Sequence, residues 1–417
     1  MKKFLLIVVA ASLGLSLPFL AQAAAGDLDP SFGSGGTVLT DFGASSEDNA
    51  RSIAVEPGGK IVVGGFSDAA GDRDFALARY DRNGTLDPSF ASGGKVLTDL
   101  GGPSDLALDA VIEPNGKIVA AGSSLIGGAF DFAVVRYNRD GSLDPSFGSG
   151  GKVLTQVGAF FAEATGVAVE SDGKIVAAGV SDFDFAVVRY NHDGSLDPSF
   201  GSGGKVVTDF GGESFVWGVG VQPDGKIVVA GDSGGDFALA RYNRDGSLDS
   251  NFGSGGKVLT DFGGPSTDTA LAVAIEPNGK IVAAGHTAAA PFTDFNFALA
   301  RYNRDGGLDS SFGSGGKVVT GFGAARFDEA WGVALQPNGK IVAAGLTIAA
   351  FDDEFAIARY NRDGSLDQSF GSGGKVMNGF IGQEAFDVAL EPNGKVVVAG
   401  DGFAGSEDFA VARLLAR

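Results

Sequence analysis

An all-β ring of seven four-stranded antiparallel blades, a β-propeller, is the fold this sequence predicts, and three observations carry the prediction. A pentapeptide of the form L-D-x-[SN]-F recurs seven times. Each copy is accompanied by four short runs of strand character and by no run with helical spacing. The series also begins and ends out of phase, so that its two ends complement each other.

The pentapeptide begins at Leu28, Leu86, Leu143, Leu196, Leu248, Leu308 and Leu366, at intervals of 52 to 60 residues. A long period of this kind marks solenoids, propellers and arrays. No linker-like or charge-block segment separates the units, so residues 24–417 read as one domain. Residues 257–302 show the four runs of a unit. "ALAVAIEP" (270–277), strand a, alternates Leu271, Val273 and Ile275 with alanines; "KIVAAG" (280–285) is strand b; "FALARY" (297–302), strand c, alternates again; "KVLTDF" (257–262) is a strand d. Short alternating runs rich in β-branched and aromatic residues are strands. Asn-Gly or Asp-Gly pairs at 115–116, 172–173, 224–225, 278–279, 338–339 and 393–394, and Gly58-Gly59 in the first unit, stand between a and b. They predict tight type I′ hairpins.

The first strand of the series is a d strand, "TVLTDF" at 37–42, and the last is a c strand, "FAVARL" at 409–414. Pairing the two completes the last blade with the N-terminal strand and closes the ring. An open solenoid needs capping units with altered outer faces, and the copies show none.

The stretch "DFALARYNRDGSLDSNFGSGGKVLTDFGG", followed by "EPNGKIVAAG", resembles the bacterial delta-60 repeat, a propeller-forming repeat, over essentially all of residues 24–417. Departures are Asn296 and Glu354 for the aspartate of D-F, and Leu414 in place of tyrosine. The resemblance implies a propeller and export, and brings no catalytic residues with it.

The N-terminus has its own signature. Lys2 and Lys3 precede an apolar run from Phe4 to Leu20 and then Ala21-Gln22-Ala23, the pattern of a secretory signal peptide over 1–23, cleaved near Ala23. Ser12, Gly14, Ser16 and Pro18 interrupt the run, which argues against a stable membrane span, and no second run is long enough. The expected location is the periplasm or the extracellular space. With no cysteine there is neither a lipid-anchoring site nor a disulfide, so stability rests on burial and backbone pairing. A net charge of −20 repels nucleic acid and anionic headgroups. A monomer without nucleic-acid partners or cofactors is expected.

The most repeated charges read as architecture. Arg79, Arg136, Arg189, Arg241, Arg301, Arg359 and Arg413 of strand c are matched by Asp29, Asp87, Asp144, Asp197, Asp249, Asp309 and Asp367 of L-D, one structural pair per blade. The lysines after each hairpin, Lys60 and its six equivalents, are expected to be solvated. The turn "YNRDGSLD" superficially resembles a calcium loop, but its first alternating position is an arginine, and Asn and Asp before Gly already make a turn. No metal is assigned. His192 and His286 occupy non-equivalent positions, with His286 read at a loop start, and neither is a catalytic lead.

Function is expected on the other face, where the b–c and d–a loops vary in length and content. Trp217 and Trp331 lie six residues before the proline of "QP", where other copies have Arg51, Leu108, Thr165, Leu271 and Phe386. One place nearer the proline are Ser52, Asp109, Gly166, Gly218, Ala272, Gly332 and Asp387. These two rows are expected to line the mouth of the central channel. Trp217, Trp331, Phe386, Arg51, Asp109 and Asp387 are the candidate ligand-binding residues, of a scaffold that binds a protein or glycan; an axis simply plugged by large side chains is the competing reading. A glycan hydrolase or lyase using Asp109 and Asp387 is the alternative function. If the N-terminal strand closes the ring, deleting residues 24–44 lowers the melting temperature by about 10 °C or more; an unchanged melt contradicts closure.

Overall fold

In the structure, a computed structural model, residues 23–264, 266–289, 294–323, 326–349, 352–378, 382–403 and 405–416 are described. The leader read at 1–23 lies, but for Ala23, outside them. The described residues contain no helix, and none that is long and apolar enough to cross a membrane. Seven four-stranded antiparallel blades run a-b-c-d from inside to outside. The innermost strands a are Asp48–Val55, Asp105–Ile112, Ala162–Val169, Ser214–Val221, Ser266–Ile275, Phe327–Leu335 and Gly382–Leu390, in blades 1 to 7. In blade 2 the remaining strands are Ile118–Ile126 (b), Ala129–Tyr137 (c) and Lys152–Thr155 (d).

Blade 7 takes strands a, b and c from the C-terminal end and strand d from Thr37–Thr40, which pairs antiparallel with Glu407–Leu414. The predicted strand 37–42 stops two residues early. Phe42 turns inward instead, its N–H donated to Asp48 Oδ2 (2.6 Å) and its ring 4.9 Å from that of Phe409. Packing confirms the ring. Among the described residues seven apolar clusters each join two neighbouring blades, including one that unites Ala50 and Ile53 of blade 1 with Val397, Ala399 and Phe409 of blade 7. An open row of seven blades has only six such junctions.

The predicted type I′ geometry between a and b is not what forms. In blade 2 Glu113 N donates to Lys117 O and Gly116 N to Glu113 O, both at 2.8 Å, and only Gly116 has a positive φ, 83°. The residue before the Asn or Asp, Pro114 here and Ser171 in the same turn of blade 3, is part of the link, which makes it a type I turn followed by a left-handed glycine. The two-residue links with positive φ at both positions lie on the opposite face, between b and c, at Gly127-Gly128, Asp182-Phe183 and Gly234-Gly235.

The arginines of strand c hold the blades together. Each Nε donates to the aspartate of its own L-D at 2.6–2.9 Å. Each guanidinium lies 4.4–4.6 Å from the phenylalanine ring of the same L-D-x-[SN]-F turn. In six of them Nη1 also donates to a main-chain carbonyl at the c–d turn or the C-terminal end of the next blade, as from Arg189 to Arg244 O at 2.6 Å and from Arg359 to Ala416 O at 2.9 Å. The lysines are not simply solvated: Lys60, Lys117, Lys174, Lys226, Lys280, Lys340 and Lys395 each donate to the same aspartate at 2.5–2.7 Å. Burial alone would raise these carboxyls, but the lysine, serine and arginine bonds outweigh it and hold Asp144 and its equivalents well below the usual range. In the calcium-like turn, Asp140 Oδ1 accepts from Ser142 N (3.0 Å) and Oγ (2.6 Å), and Asp193, Asp245 and Asp363 repeat it. Those carboxylates are engaged in making the turn.

Removing one partner of a buried pair strands the other. Arg79→Ala is therefore expected to lower the unfolding free energy by about 3–5 kcal/mol in urea melts. A loss below about 1 kcal/mol would place the pair among exposed ion pairs.

Candidate functional site

Every innermost strand contains a β-bulge at the same place, blade 7 adding a second between Gly382 and Glu384, and the sequence gives the shared bulge a specific occupant. The ladder with strand b slips between Ala50 and Ser52, Ala107 and Asp109, Ala164 and Gly166, Val216 and Gly218, Ala270 and Ala272, Ala330 and Gly332, and Ala385 and Asp387. The extra residues are Arg51, Leu108, Thr165, Trp217, Leu271, Trp331 and Phe386, the row singled out from the sequence. A bulge leaves one residue unpaired and re-aims its side chain. The glycine that ends "IVAAG" is the counterpart. A Cβ at Gly65, Gly122 or Gly231 would collide with the carbonyl of Asn49, Leu106 or Phe215, just before the bulge. The close backbone approach admits only glycine there.

The bulge side chains meet at the axis. The rings of Trp217 and Trp331 stand edge to face with centroids 5.9 Å apart, and Trp331 meets Phe386 at 5.5 Å. The Arg51 guanidinium lies 3.9 Å from the centre of Phe386. Blades 4, 6, 7 and 1 thus contribute one chain of stacked groups. Above it remains a cavity of about 270 Å³ that is lined by all six candidate residues, together with Glu163, Thr165, Leu108 and Leu271. Among the described residues Arg51 is its single basic lining residue; one Nη donates to Asn49 Oδ1 at 2.7 Å, and its buried Nε has no partner among them.

Asp109 and Asp387 line this cavity and also tie blades together. Asp109 accepts from Val167 N of blade 3 (2.7 Å) and from Ala110 N (2.8 Å); Asp387 accepts from Ile53 N of blade 1 (2.9 Å) and from Val388 N (2.7 Å). Burial pushes Asp109 up to about 6, and burial with the nearby charge of Asp109 pushes Asp387 up to about 7.

Further carboxyls near the mouth escaped the sequence reading. Burial raises Asp232 to about 6, Glu329 to about 7 and Asp401 to about 8. Trp217 Nε1 donates to Asp232 and Trp331 Nε1 to Glu329, each at 3.1 Å. Glu163 and Glu329 stand two residues before the bulge, and Asp232 and Asp401 just after the strand-b glycine. The extra residue of the bulge shifts the in–out alternation of strand a by one, so counting back from the proline misplaces what lies upstream. The glycine was the available signal. His286 is corrected as well: it is not in a loop but in strand b of blade 5, 8 % exposed, and burial lowers its imidazole to about 4.

A carboxyl raised by folding stabilises the protein fully below its unfolded value near 4, and that contribution is lost as pH rises through the folded value. The melting temperature is therefore expected to fall between pH 5 and pH 8, and the Asp109→Asn/Asp387→Asn double variant to flatten that fall. An identical slope in wild type and variant would show that the pair ionises as freely in the fold as in the unfolded chain.

No curated protein matches the chain. Its fold is similar to that of virginiamycin B lyase from Staphylococcus aureus (TM-score 0.52, 8% identity, covering 91% of this chain and 98% of that one). It is also similar to the WD40 beta propeller domain of Doa1 (0.50, 15%, 92% and 98%) and to Sqt1 from Chaetomium thermophilum (0.50, 15%, 90% and 97%). At such identities these likenesses carry the fold alone. The sequence matches a domain of unknown function (DUF5122) beta-propeller at residues 57–90, 113–147, 170–200, 222–252, 276–312, 336–370 and 391–416. Each segment begins at or near the a–b turn and covers strands b and c, so all six candidate residues fall outside the segments. With seven matched segments spread over seven blades, the chain belongs to the DUF5122 beta-propeller family.

Proposed function

We propose that the protein is an exported, non-enzymatic scaffold that seats a protein, glycan or envelope component over its channel mouth. The series Trp217, Trp331, Phe386 and Arg51 carries this reading, because four blades spend the extra residue of their shared bulge on a stacked aromatic and cationic surface. Such side chains supply large, rigid contact area and dominate binding surfaces. A cavity of about 270 Å³ falls just below the roughly 300–1,000 Å³ of sites that enclose small ligands. It admits one side chain or one sugar ring, and the rest of the ligand would lie on the surrounding loops. Export follows from the leader signature at 1–23 and agrees with the resemblance to the delta-60 repeat; action as a monomer completes the reading.

The glycan hydrolase or lyase reading has one observation in its favour, two coupled carboxyls with raised pKa in one cavity. Against it, each carboxylate already bonds the backbone of a neighbouring blade. Glycan arrays and pull-downs from envelope extract with residues 24–417 distinguish the two. Trp217→Ala and Trp331→Ala are expected to weaken binding at least tenfold while Asp109→Asn/Asp387→Asn retains it. Retained binding in both tryptophan variants rejects this face. Sugar-chain cleavage that vanishes in the aspartate variant would establish the enzyme.

A further inference from the structure

We infer that the junction of blades 1 and 2 binds a divalent cation of the calcium class through Asp74, Asp99 and Asp105. The three come from different elements: Asp74 opens strand c of blade 1 (Asp74–Tyr80), Asp99 follows strand d (Lys95–Thr98), and Asp105 opens strand a of blade 2. Main-chain bonding brings them together, with Asp105 N donating to Arg73 O at 2.7 Å. One carboxylate oxygen from each lies within 4.8 Å of the others. Calcium holds oxygens at about 2.3–2.6 Å, so opposite ligands stand roughly 5 Å apart, whereas magnesium draws them to about 4 Å in a strict octahedron.

Three negative charges at this spacing need a counter-charge, and among the described residues none of them has an ion pair. No lysine or arginine pairs with any of the three carboxylates among the described residues, in contrast to the L-D aspartates, which each have two cations. Lys152 is the nearby cation, but its Nζ donates to the main-chain oxygen of Asp99 at 2.6 Å; Asp72 adds further negative charge. Asp105 is oriented by Leu100 N (2.6 Å) and Ser124 Oγ (2.5 Å), and Asp99 by Gly101 N (2.5 Å). Asp74 is the decisive group. The residue is 5 % exposed and faces the other two, and among the described residues no donor reaches its carboxylate, whose oxygens are open only to water. A largely covered carboxylate set against two like charges, with water as its sole donor, favours a bound cation. Water would complete the shell.

The ring repeats the arrangement. Asp41, Asp48 and Asp408 at the junction of blades 7 and 1, and Asp236, Asp261 and Asp268 at that of blades 4 and 5, form equivalent triads. At the junction of blades 2 and 3 the corresponding residues are Asp131, Gln156 and Ala162, an internal control. The experiment is calorimetric titration of residues 24–417 with calcium chloride alone after chelator dialysis. Binding in the range of about 10⁻⁴–10⁻³ M, as in extracellular calcium modules, is expected, with magnesium weaker. Asp74→Asn, or the exposed and fold-safe Asp99→Asn, is expected to remove one equivalent or weaken it at least tenfold, whereas Asp131→Asn leaves the isotherm unchanged. Absence of calcium heat in the wild type, or unchanged isotherms in both Asp74→Asn and Asp99→Asn, overturns the proposal.

Discussion

The strand-c arginine is the interaction on which the ring depends. One guanidinium satisfies the aspartate of its own L-D turn, covers the phenylalanine of the same turn and, in six blades, reaches a carbonyl of the next. A lysine from the preceding hairpin neutralises the same carboxylate. Burying a charge is unfavourable until its geometry is satisfied. Here each partner is supplied by the repeat itself, so seven copies of one sequence solve the problem seven times. The turn "YNRDGSLDPSFGSGG" is repeated because each of its members serves this joint.

Neighbouring blades are also locked by hydroxyl pairs at five of the seven junctions; Tyr360 is buried with no hydrogen-bond partner among the described residues, and blade 7 departs in sequence. Tyr80, Tyr137, Tyr190, Tyr242 and Tyr302 each bond a threonine that ends strand d of the preceding blade, at 2.7–2.9 Å. Blade 7 has Leu414 instead of tyrosine, and the corresponding position of blade 6 is Asn378 rather than threonine. With no phenol to bury, the last junction needs no hydroxyl, and Leu414 joins the apolar cluster between blades 6 and 7. A scaffold this uniform frees its innermost strands to differ. All six candidate residues lie outside the segments that define the family, and the bulge gives each blade one residue that owes nothing to the ladder.

Much of the fold was legible because strands carry a period of two and the repeat multiplies a weak local signal sevenfold. The strand runs, their order and the closing pair Thr37–Thr40 with Glu407–Leu414 followed from pattern alone. The a–b turn was misjudged because Asn-Gly was weighed as a two-residue link, whereas the residue before it, proline in six copies and Ser171 in blade 3, also belongs to the turn. The rows carrying Trp217 and Asp109 were found by alignment of the copies, while Glu329 and Asp401 were not, because the bulge changes which residues face the channel.

The sequence by itself determined that seven antiparallel blades form and which of their positions are scaffold, since alternation, turn residues and repetition are local properties of the chain. Only the tertiary structure decided what meets at the axis and at the rims of the blades. Trp217, Trp331, Phe386 and Arg51 are more than a hundred residues apart in places, and they stack because ring closure converts sequence distance into proximity. Asp74, Asp99 and Asp105 become a group through the packing of blade 2 on blade 1. Their charges are ordinary in a chain with 51 acidic residues, and become particular only where the packing of two blades leaves them facing one another without a cation.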